Sequence, residues 1–163
     1  MSKGEFKLKT RFIATANVGE YRDTIPHVVT ADDVVLEVGC EWGTTSALLA
    51  PQCRELVATD ISAECIERAR TGRSDIRFEV LDGFDLRAVL DLGRPFTKVY
   101  LDMSGISGYH SLLDAISLLM AYAVVLRPEA IVVKSNALKR FAWHCVPWGL
   151  RRDASGSPAP CPS

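Results

Sequence analysis

Short apolar runs alternate with longer amphipathic segments along most of this chain. The strongest run, Val34–Val38, is rich in β-branched residues and closes at Gly39, which is typical of a buried parallel strand. Similar runs predict strands over 56–59, 76–81, 99–101 and 130–133, with helices over 44–49, 63–70, 86–92, 109–126 and 137–145. Strands that alternate with helices pair in parallel through right-handed crossovers. The pattern therefore predicts an α/β fold: a doubly wound parallel sheet of about five strands with helices on both faces.

The two ends of the chain carry weaker patterns. Residues 1–20 alternate only weakly, and a short helix over 20–29 contains Pro26, which weakens its interior. Residues 149–163 are rich in serine, proline and glycine, so we expect a disordered tail there. The length suits a single domain, which we predict over residues 1–148. No apolar run has the roughly 20 residues that a membrane span needs, so no membrane partner is expected.

Composition limits the classes of partner and compartment. The formal net charge of −1 gives no general attraction to nucleic acids or anionic membranes, so a polyanion site has to be a local patch. The five cysteines are scattered without C-x-x-C spacing, which argues against disulfides or a zinc site and favours an intracellular protein of the cytoplasm or nucleus. The three histidines are isolated in sequence, so no metal site is predicted.

Chemically distinctive residues follow each predicted strand. Ligands of doubly wound sheets bind outside the carboxyl ends of the strands, where the strand order reverses. The residues at these ends are Glu37, Gly39, Asp60, Asp82, Asp102 and Lys134. Because parallel strands end at one edge of the sheet, we expect these side chains to share one cleft.

The first loop, residues 37–45, places Gly39 and Gly43 across a tight strand-to-helix turn and includes Cys40. The dinucleotide fingerprint G-x-G-x-x-G is not met, because Glu41 and Thr44 stand at two of its positions. An acidic side chain here repels a pyrophosphate but not a cationic sulfonium. The loop therefore favours S-adenosylmethionine over a dinucleotide, the alternative being that the two glycines merely turn the chain.

Two aspartates extend this candidate site. Asp60 lies where a carboxylate accepts both hydroxyls of a ribose, and Asp82 could accept from an adenine amino group. The alternatives are a helix-terminal charge beside Ser62 and a plain Asp-Gly turn. The predicted cofactor-binding residues are Glu37, Gly39, Cys40, Glu41, Gly43, Thr44, Asp60, Ile61, Asp82 and Gly83.

The loop from Glu37 to Gly43 resembles motif I of class I S-adenosylmethionine-dependent methyltransferases, E/D-x-G-x-G-x-G, and departs from it at Glu41. Asp60 and Asp82 match the family's later acidic positions. The resemblance covers residues 33–134. It implies a Rossmann-like fold, S-adenosylmethionine as cofactor and methyl transfer as the activity.

A narrower stretch is similar to fibrillarin-like RNA 2′-O-methyltransferases. It comprises Gly39-x-x-x-Gly43-Thr44-Thr45, Asp102 after the fourth strand, and Ile131-Val-Val-Lys134-Ser-Asn after the fifth. The resemblance implies that Asp102 and Lys134 are catalytic residues beside the transferred methyl group, and that RNA is the partner. A solvated strand-end charge is the alternative role of Lys134. The family's earlier lysine has no counterpart over residues 20–36, where Arg22, or Lys9 further upstream, are the available substitutes.

The family's usual final antiparallel strand pair has no counterpart after residue 134. We therefore expect either a truncated or alternative form, or a fifth strand whose exposed edge is completed by a partner chain or a second copy. A small-molecule or protein methyltransferase and a non-catalytic cofactor-binding module remain the alternative functions. Near the end, Lys139, Arg140, Arg151 and Arg152 are interleaved with Phe141, Trp143 and Trp148. We interpret them as a solvated helix face with its aromatic rings turned inward, the alternative being a contact with RNA.

Overall fold

A computed structural model describes residues 8–73, 75–103, 105–106 and 108–145. The tail predicted over 149–163 lies outside these residues. The strands are β1 (Arg11–Thr15), β2 (Val34–Val38), β3 (Glu55–Asp60), β4 (Arg77–Val80), β5 (Lys98–Leu101) and β6 (Ala130–Lys134). The helices are α1 (Val18–Asp23), α2 (Ile25–Val28), α3 (Ser46–Leu49), α4 (Ala63–Arg70), α5 (Leu86–Asp91), α6 (Leu112–Val125) and α7 (Asn136–His144).

All strand pairs are parallel, in the order β1-β6-β5-β2-β3-β4. The order reverses between β2 and β5, so their carboxyl ends define the switch point at which such sheets bind ligands. The predicted α/β architecture and the five strands read from the sequence are confirmed. The described part of the chain contains no antiparallel strand pair.

The predicted strand count is wrong by one, because β1 adds a sixth strand. Residues 11–15 pair with residues 130–134 in register, from Arg11 beside Ala130 to Thr15 beside Lys134. The strand lies at the sheet edge and is largely exposed at its start, so it lacks the apolar run that marks the central strands. The edge of β6 that we expected to be exposed is therefore covered by the chain's own N-terminal strand.

Helices pack on both faces of the sheet, as the alternation predicted. Leu36 and Val38 of β2 face the cluster built by α5, α6 and α7, whereas Val35 faces the cluster built by α1 to α4. Each fully buried side chain of this size stabilises the fold by roughly 1.5–3 kcal/mol. Since both faces are covered, the strands are continuous apolar runs rather than alternating ones.

A charge network with two buried members, Lys98 and Asp33, lies at the amino end of the sheet, opposite the candidate site. Lys98 Nζ donates to Asp33 at 2.8 Å and to Glu129 at 2.6 Å, while the Thr97 hydroxyl donates to Asp33 at 2.6 Å. Burial opposes ionisation of Asp33, but the bonds from Lys98, Thr97 and Thr30 outweigh it and lower the pKa of Asp33 to about 2. The network fixes the start of β5 beside the start of β2.

The predicted helix over 20–29 is interrupted. It forms as α1, whose first turn is capped by the Asn17 side chain, and as the single turn α2, which begins at Ile25 with Pro26 next to it. No described helix has the length and apolarity needed to cross a bilayer. The four cysteines within the described ranges are free thiols.

Candidate functional site

The turn after β2 has the backbone conformation that its glycines allow. Gly39 and Gly43 have φ values of +85° and +73°, and Glu41 adopts the same left-handed region with φ +49°. Glu41 stands at the middle glycine of the motif, and its backbone follows the glycine geometry although it carries a side chain. All three glycine positions of motif I therefore have positive φ in this chain, the one occupied by Glu41 included.

The space beside Gly39 is occupied by protein backbone. A Cβ atom at Gly39 would lie 2.1 Å from the carbonyl oxygen of Asp102, so the ends of β2 and β5 touch directly. A Cβ at Gly43 would lie 3.1 Å from the Phe78 ring. Gly83 is packed just as tightly, since its Cβ would lie 2.6 Å from Val38. The three glycines thus let the loops at this edge approach one another.

Asp60 ties the glycine turn to the end of β3. One carboxylate oxygen accepts from the backbone N–H of Glu41 at 2.9 Å, and the other accepts from the N–H of Ser62 at 2.9 Å. The side chain is only partly buried. Each carboxylate oxygen has two acceptor sites, so Asp60 keeps capacity for further donors such as the hydroxyls of a ribose.

Glu37 lies below the turn rather than in the cleft. It is buried, and the Ser46 hydroxyl donates to its carboxylate at 2.5 Å. Burial raises the pKa of Glu37 to about 7, against the lowering effect of the Ser46 hydrogen bond. Cys40 is buried beside it, and burial raises the pKa of the Cys40 thiol far above its usual range.

Exposed apolar side chains stand past the ends of β3 and β4. Ile61 is 69% exposed and Phe84 is 50% exposed. Asp82 is exposed and accepts from the N–H of Phe84 at 2.9 Å, which forms the Asp-Gly turn. Phe84 was missed by the sequence analysis, although an aromatic residue next to a strand-end turn is a usable signal. Thr44, on the glycine turn, is also exposed.

Asp102 and Lys134 are brought together at the ends of β5 and β6. Lys134 Nζ lies 2.5 Å from Asp102 Oδ1, and both side chains are partly buried. Because the backbone of Asp102 contacts Gly39, this ion pair adjoins the glycine turn. The arrangement places a cation and a carboxylate beside the switch point.

The remaining basic residues have other contacts. Arg22 donates to Thr45 at 3.0 Å, and Lys139 pairs with Glu20 at 2.7 Å. The expectation that the aromatic rings of α7 turn inward is wrong for Phe141 and Trp143, which are 49% and 78% exposed. Within the described residues, these two rings stand at the surface, and Phe141 borders an apolar cavity between β1, α6 and α7. Trp148, Arg151 and Arg152 lie outside the described residues.

An apolar cavity lies elsewhere. It measures about 480 Å³ and lies between β1, α6 and α7, where it is lined mainly by apolar side chains such as Phe12, Met120 and Phe141.

The residues of the cleft fit S-adenosylmethionine. Asp60 offers free acceptor sites for sugar hydroxyls, and the exposed Ile61 and Phe84 offer apolar surface for a purine ring. Below the turn, the Tyr21 hydroxyl is buried and has no hydrogen-bond partner among the described residues. A carboxylate for a sugar, apolar flanks for a base and an unsatisfied polar atom together suit an adenosyl amino acid.

Comparison with known families supports the same conclusion. A family model described as a methyltransferase domain matches residues 35–129, which run from β2 to the residue before β6 and make up more than half of the chain. The chain belongs to the methyltransferase domain family. Its cofactor is therefore S-adenosylmethionine. Among curated proteins, none matches the chain in sequence.

Solved structures share the fold at low sequence identity. The sugar N-methyltransferase KedS8 from Streptoalloteichus sp. ATCC 53650 has a TM-score of 0.56 at 20% identity, over 74% of this chain and 48% of its own. Streptomyces venezuelae DesVI has a TM-score of 0.55 at 21% identity, over 72% of this chain and 48% of its own. An rRNA methylase from Streptococcus thermophilus has a TM-score of 0.54 at 14% identity, over 81% of each chain. This methyltransferase domain thus spans about half the length of the first two.

Proposed function

We propose that this domain transfers a methyl group from S-adenosylmethionine to a hydroxyl group, with the 2′-hydroxyl of an RNA ribose as the acceptor. The observation that carries the proposal is the ion pair between Lys134 and Asp102 beside the glycine turn. The glycine turn and Asp60 would hold the adenosyl group. Lys134 and Asp102 would face the acceptor.

S-adenosylmethionine supplies an electrophilic methyl group on a sulfonium, ready for direct displacement. A hydroxyl that attacks this methyl group would form the O–CH3 bond as the S–CH3 bond breaks, leaving S-adenosylhomocysteine. Negative charge would develop on the attacking oxygen until its proton passes to the Asp102 carboxylate or to water. The ammonium of Lys134 stabilises that charge, and the Asp102 carboxylate orients the ammonium or accepts a hydrogen bond from the hydroxyl. The protein needs only to position and polarise the acceptor.

The same ion pair argues for a hydroxyl rather than an amine acceptor. An attacking amine becomes positively charged as the new bond forms, and a neighbouring ammonium repels that charge. KedS8 is described as a sugar N-methyltransferase. Lys134 therefore weighs against transferring that chemistry to this chain.

Two observations support RNA as the acceptor. A solved structure with the same fold and a similar length is described as an rRNA methylase. On α7, which begins directly after the strand that carries Lys134, Arg140 and the exposed Trp143 provide a cation and a ring for stacking on an unpaired base. The net charge of −1 restricts such binding to this local patch.

The proposal is tested in two steps. Calorimetry first measures binding of S-adenosylmethionine to the wild type and to Asp60→Asn, which should bind at least about tenfold more weakly because it loses a charged acceptor. Transfer of labelled methyl is then measured on single-stranded RNA and on the same oligonucleotide with 2′-deoxyribose. Label on the RNA but not on the deoxy control supports the proposal.

Other outcomes separate the alternatives. If label appears on proteins or small metabolites but not on RNA, the methyltransferase activity stands and the proposed RNA acceptor is wrong. Cofactor binding without turnover on any acceptor would favour a non-catalytic module. A wild-type protein that binds no S-adenosylmethionine at millimolar concentration would remove the enzyme proposal.

A further inference from the structure

The carbonyl of Gly83 joins the loop after β4 to the core of the domain. It accepts a hydrogen bond at 2.8 Å from the hydroxyl of Tyr122 on α6, and Tyr122 is fully buried. The residues on either side of Gly83, Asp82 and Phe84, are exposed. The bond therefore holds one carbonyl of a surface loop toward the interior.

The same peptide group also holds the Asp82 side chain. Its carbonyl belongs to Gly83 and its N–H to Phe84, and this N–H donates to Asp82 Oδ1 at 2.9 Å. The C=O and N–H of a trans peptide lie in one plane and point in opposite directions, so fixing one direction fixes the other. A continuous path thus runs from the Tyr122 hydroxyl through one peptide group to the Asp82 carboxylate.

This peptide group is at the centre of a β-turn that the sequence allows in two forms. The Asp85 N–H donates to the Asp82 carbonyl at 2.9 Å and closes the turn. Type I and type II′ turns differ mainly in the orientation of the central peptide group, and type II′ needs a glycine with positive φ at the first central position. Gly83 stands at that position, but its φ is not positive. The bond from Tyr122 is available only in the form that the structure has.

Two further features support Tyr122 as a fixed donor. A Cβ atom at Gly83 would lie 2.6 Å from Val38 and 3.0 Å from Met103 Sδ, so Gly83 is packed between two loops while Tyr122 holds its carbonyl. Burial, together with the charge of Asp82, raises the pKa of Tyr122 well above its usual value. The hydroxyl therefore keeps its proton throughout the neutral pH range.

The orientation of the Asp82 carboxylate matters for recognition of a base. The sequence predicts that Asp82 accepts from the amino group of adenine, and its second carboxylate oxygen has acceptor sites for that donor. Hypoxanthine carries a carbonyl oxygen in place of this amino group, and a carboxylate repels that oxygen. A carboxylate held in one orientation would distinguish the two bases, whereas a freely turning carboxylate would do so less well.

We propose that Tyr122 is a positioning residue that sets selectivity for adenine, by orienting the Asp82 carboxylate through the peptide group between Gly83 and Phe84. The inference rests on the cofactor part of the proposed function and is independent of the methyl acceptor. It gives the buried face of α6 a role in choosing the ligand as well as in packing.

The test compares Tyr122→Phe with Tyr100→Phe, a matched control. Tyr100 is also fully buried, and its hydroxyl lies 3.0 Å from that of Thr24. Calorimetry, well below the melting temperature, measures binding of S-adenosylhomocysteine and of S-inosylhomocysteine, which carries hypoxanthine. The wild type should prefer the adenine ligand by at least about tenfold. Tyr122→Phe should bind the adenine ligand about tenfold more weakly and the hypoxanthine ligand within about threefold of the wild type. Tyr100→Phe should keep the wild-type ratio.

A double-mutant cycle shows whether Tyr122 acts through Asp82. Asp82→Asn should lose most of the preference for the adenine ligand. Adding Tyr122→Phe to Asp82→Asn should then weaken binding of that ligand by less than about threefold, because the group that Tyr122 positions is already gone. A role of Tyr122 in stability alone would leave the two effects additive.

Each other outcome overturns the inference. An unchanged ratio in Tyr122→Phe removes the selectivity role, and equal weakening of both ligands makes Tyr122 a general support of the cleft. A wild-type ratio in Asp82→Asn shows that this carboxylate does not read the base, although the proposed function stands. If Tyr122→Phe fails to fold, Met103→Ala loosens Gly83 from the other side and should also reduce the ratio, and an unchanged ratio there contradicts the inference. A wild type that binds neither ligand removes the proposed function itself.

Discussion

Lys134 Nζ lies 2.5 Å from the Asp102 carboxylate, across the last two strands before α7. The two side chains are 29% and 19% exposed, so water still reaches both. Ion pairs with this exposure contribute at most about 1 kcal/mol to folding. A substitution that breaks the pair should therefore change the free energy of unfolding little. It should lower the rate of methyl transfer much more.

Lys134→Met should lower kcat by about 100-fold or more, because it removes the cation that stabilises the developing charge on the acceptor oxygen. The affinity for S-adenosylmethionine should stay within a factor of about three, since in the proposed arrangement other loops would hold the adenosyl group. Single-turnover rates and calorimetry measure the two effects.

Lys139→Met is the matched control, because Lys139 also forms a partly exposed ion pair, with Glu20 on α1. It should keep the wild-type rate. Equal rates for wild type and Lys134→Met would exclude Lys134 from the chemistry and leave it as a solvated charge at the end of a strand.

Gly39→Ala should prevent folding or destabilise the protein by at least about 3 kcal/mol. The new Cβ would lie 2.1 Å from the Asp102 carbonyl oxygen, and the φ of +85° adds backbone strain. Gly72→Ala separates the two effects, because Gly72 has φ +76° with open space around it. Gly72→Ala should lower the free energy of unfolding, measured in urea, by only about 1 kcal/mol. Similar costs for both variants would contradict the close contact between the two loops.

Glu37 should make the protein less stable as the pH rises. Its pKa is about 7 in the fold against 4.5 ordinarily, so the native state holds the extra proton between these values. The free energy of unfolding should therefore fall by about 3 kcal/mol from pH 4.5 to pH 8. Glu37→Gln keeps an acceptor for the Ser46 hydroxyl and should lose this decline, whereas the exposed Glu64→Gln should retain it. Chemical denaturation at pH 5 and pH 8 measures the difference.

Asp33 should produce the opposite dependence in acid. Its pKa of about 2 lies below the ordinary 3.8, so its contribution is complete above pH 4 and is lost as the pH falls through 2. The loss should amount to about 2 kcal/mol. Asp33→Asn should be less stable at neutral pH and should lack this component, while the exposed Asp32→Asn should behave like the wild type. Urea unfolding at several pH values between 2 and 5 measures the loss. A wild type that loses no more stability in acid than Asp33→Asn would contradict the prediction.

The central sheet was predictable because its strands are covered on both faces. Val34–Val38 is apolar at nearly every position, and turns or glycines separate it from the next helix. Because parallel strands end at one edge of the sheet, the sequence also predicted that Asp102 and Lys134 lie close together. In the structure these two side chains are in contact. In a parallel sheet, residues that are distant in sequence become neighbours when they stand at the ends of adjacent strands.

The features that sequence did not predict depend on long-range packing. Strand β1 is short and half-exposed, so its pattern resembles a loop until β6 is present to pair with it. The network around Lys98 requires β5 to lie beside β2, and the orphan hydroxyl of Tyr21 is evident only once α1 covers the sheet. Local periodicity carries no signal for such contacts.

The pairing of Arg11–Thr15 with Ala130–Lys134 also constrains synthesis of the protein. During translation the first strand must wait until its partner leaves the ribosome, after more than a hundred further residues. The Thr15 carbonyl accepts from the Ser135 N–H at 2.9 Å, so the segment that carries Lys134 acquires its anchor only then. A nascent chain that pauses before residue 130 would already contain the glycine turn and Asp60 but would lack both Lys134 and the partner of the first strand.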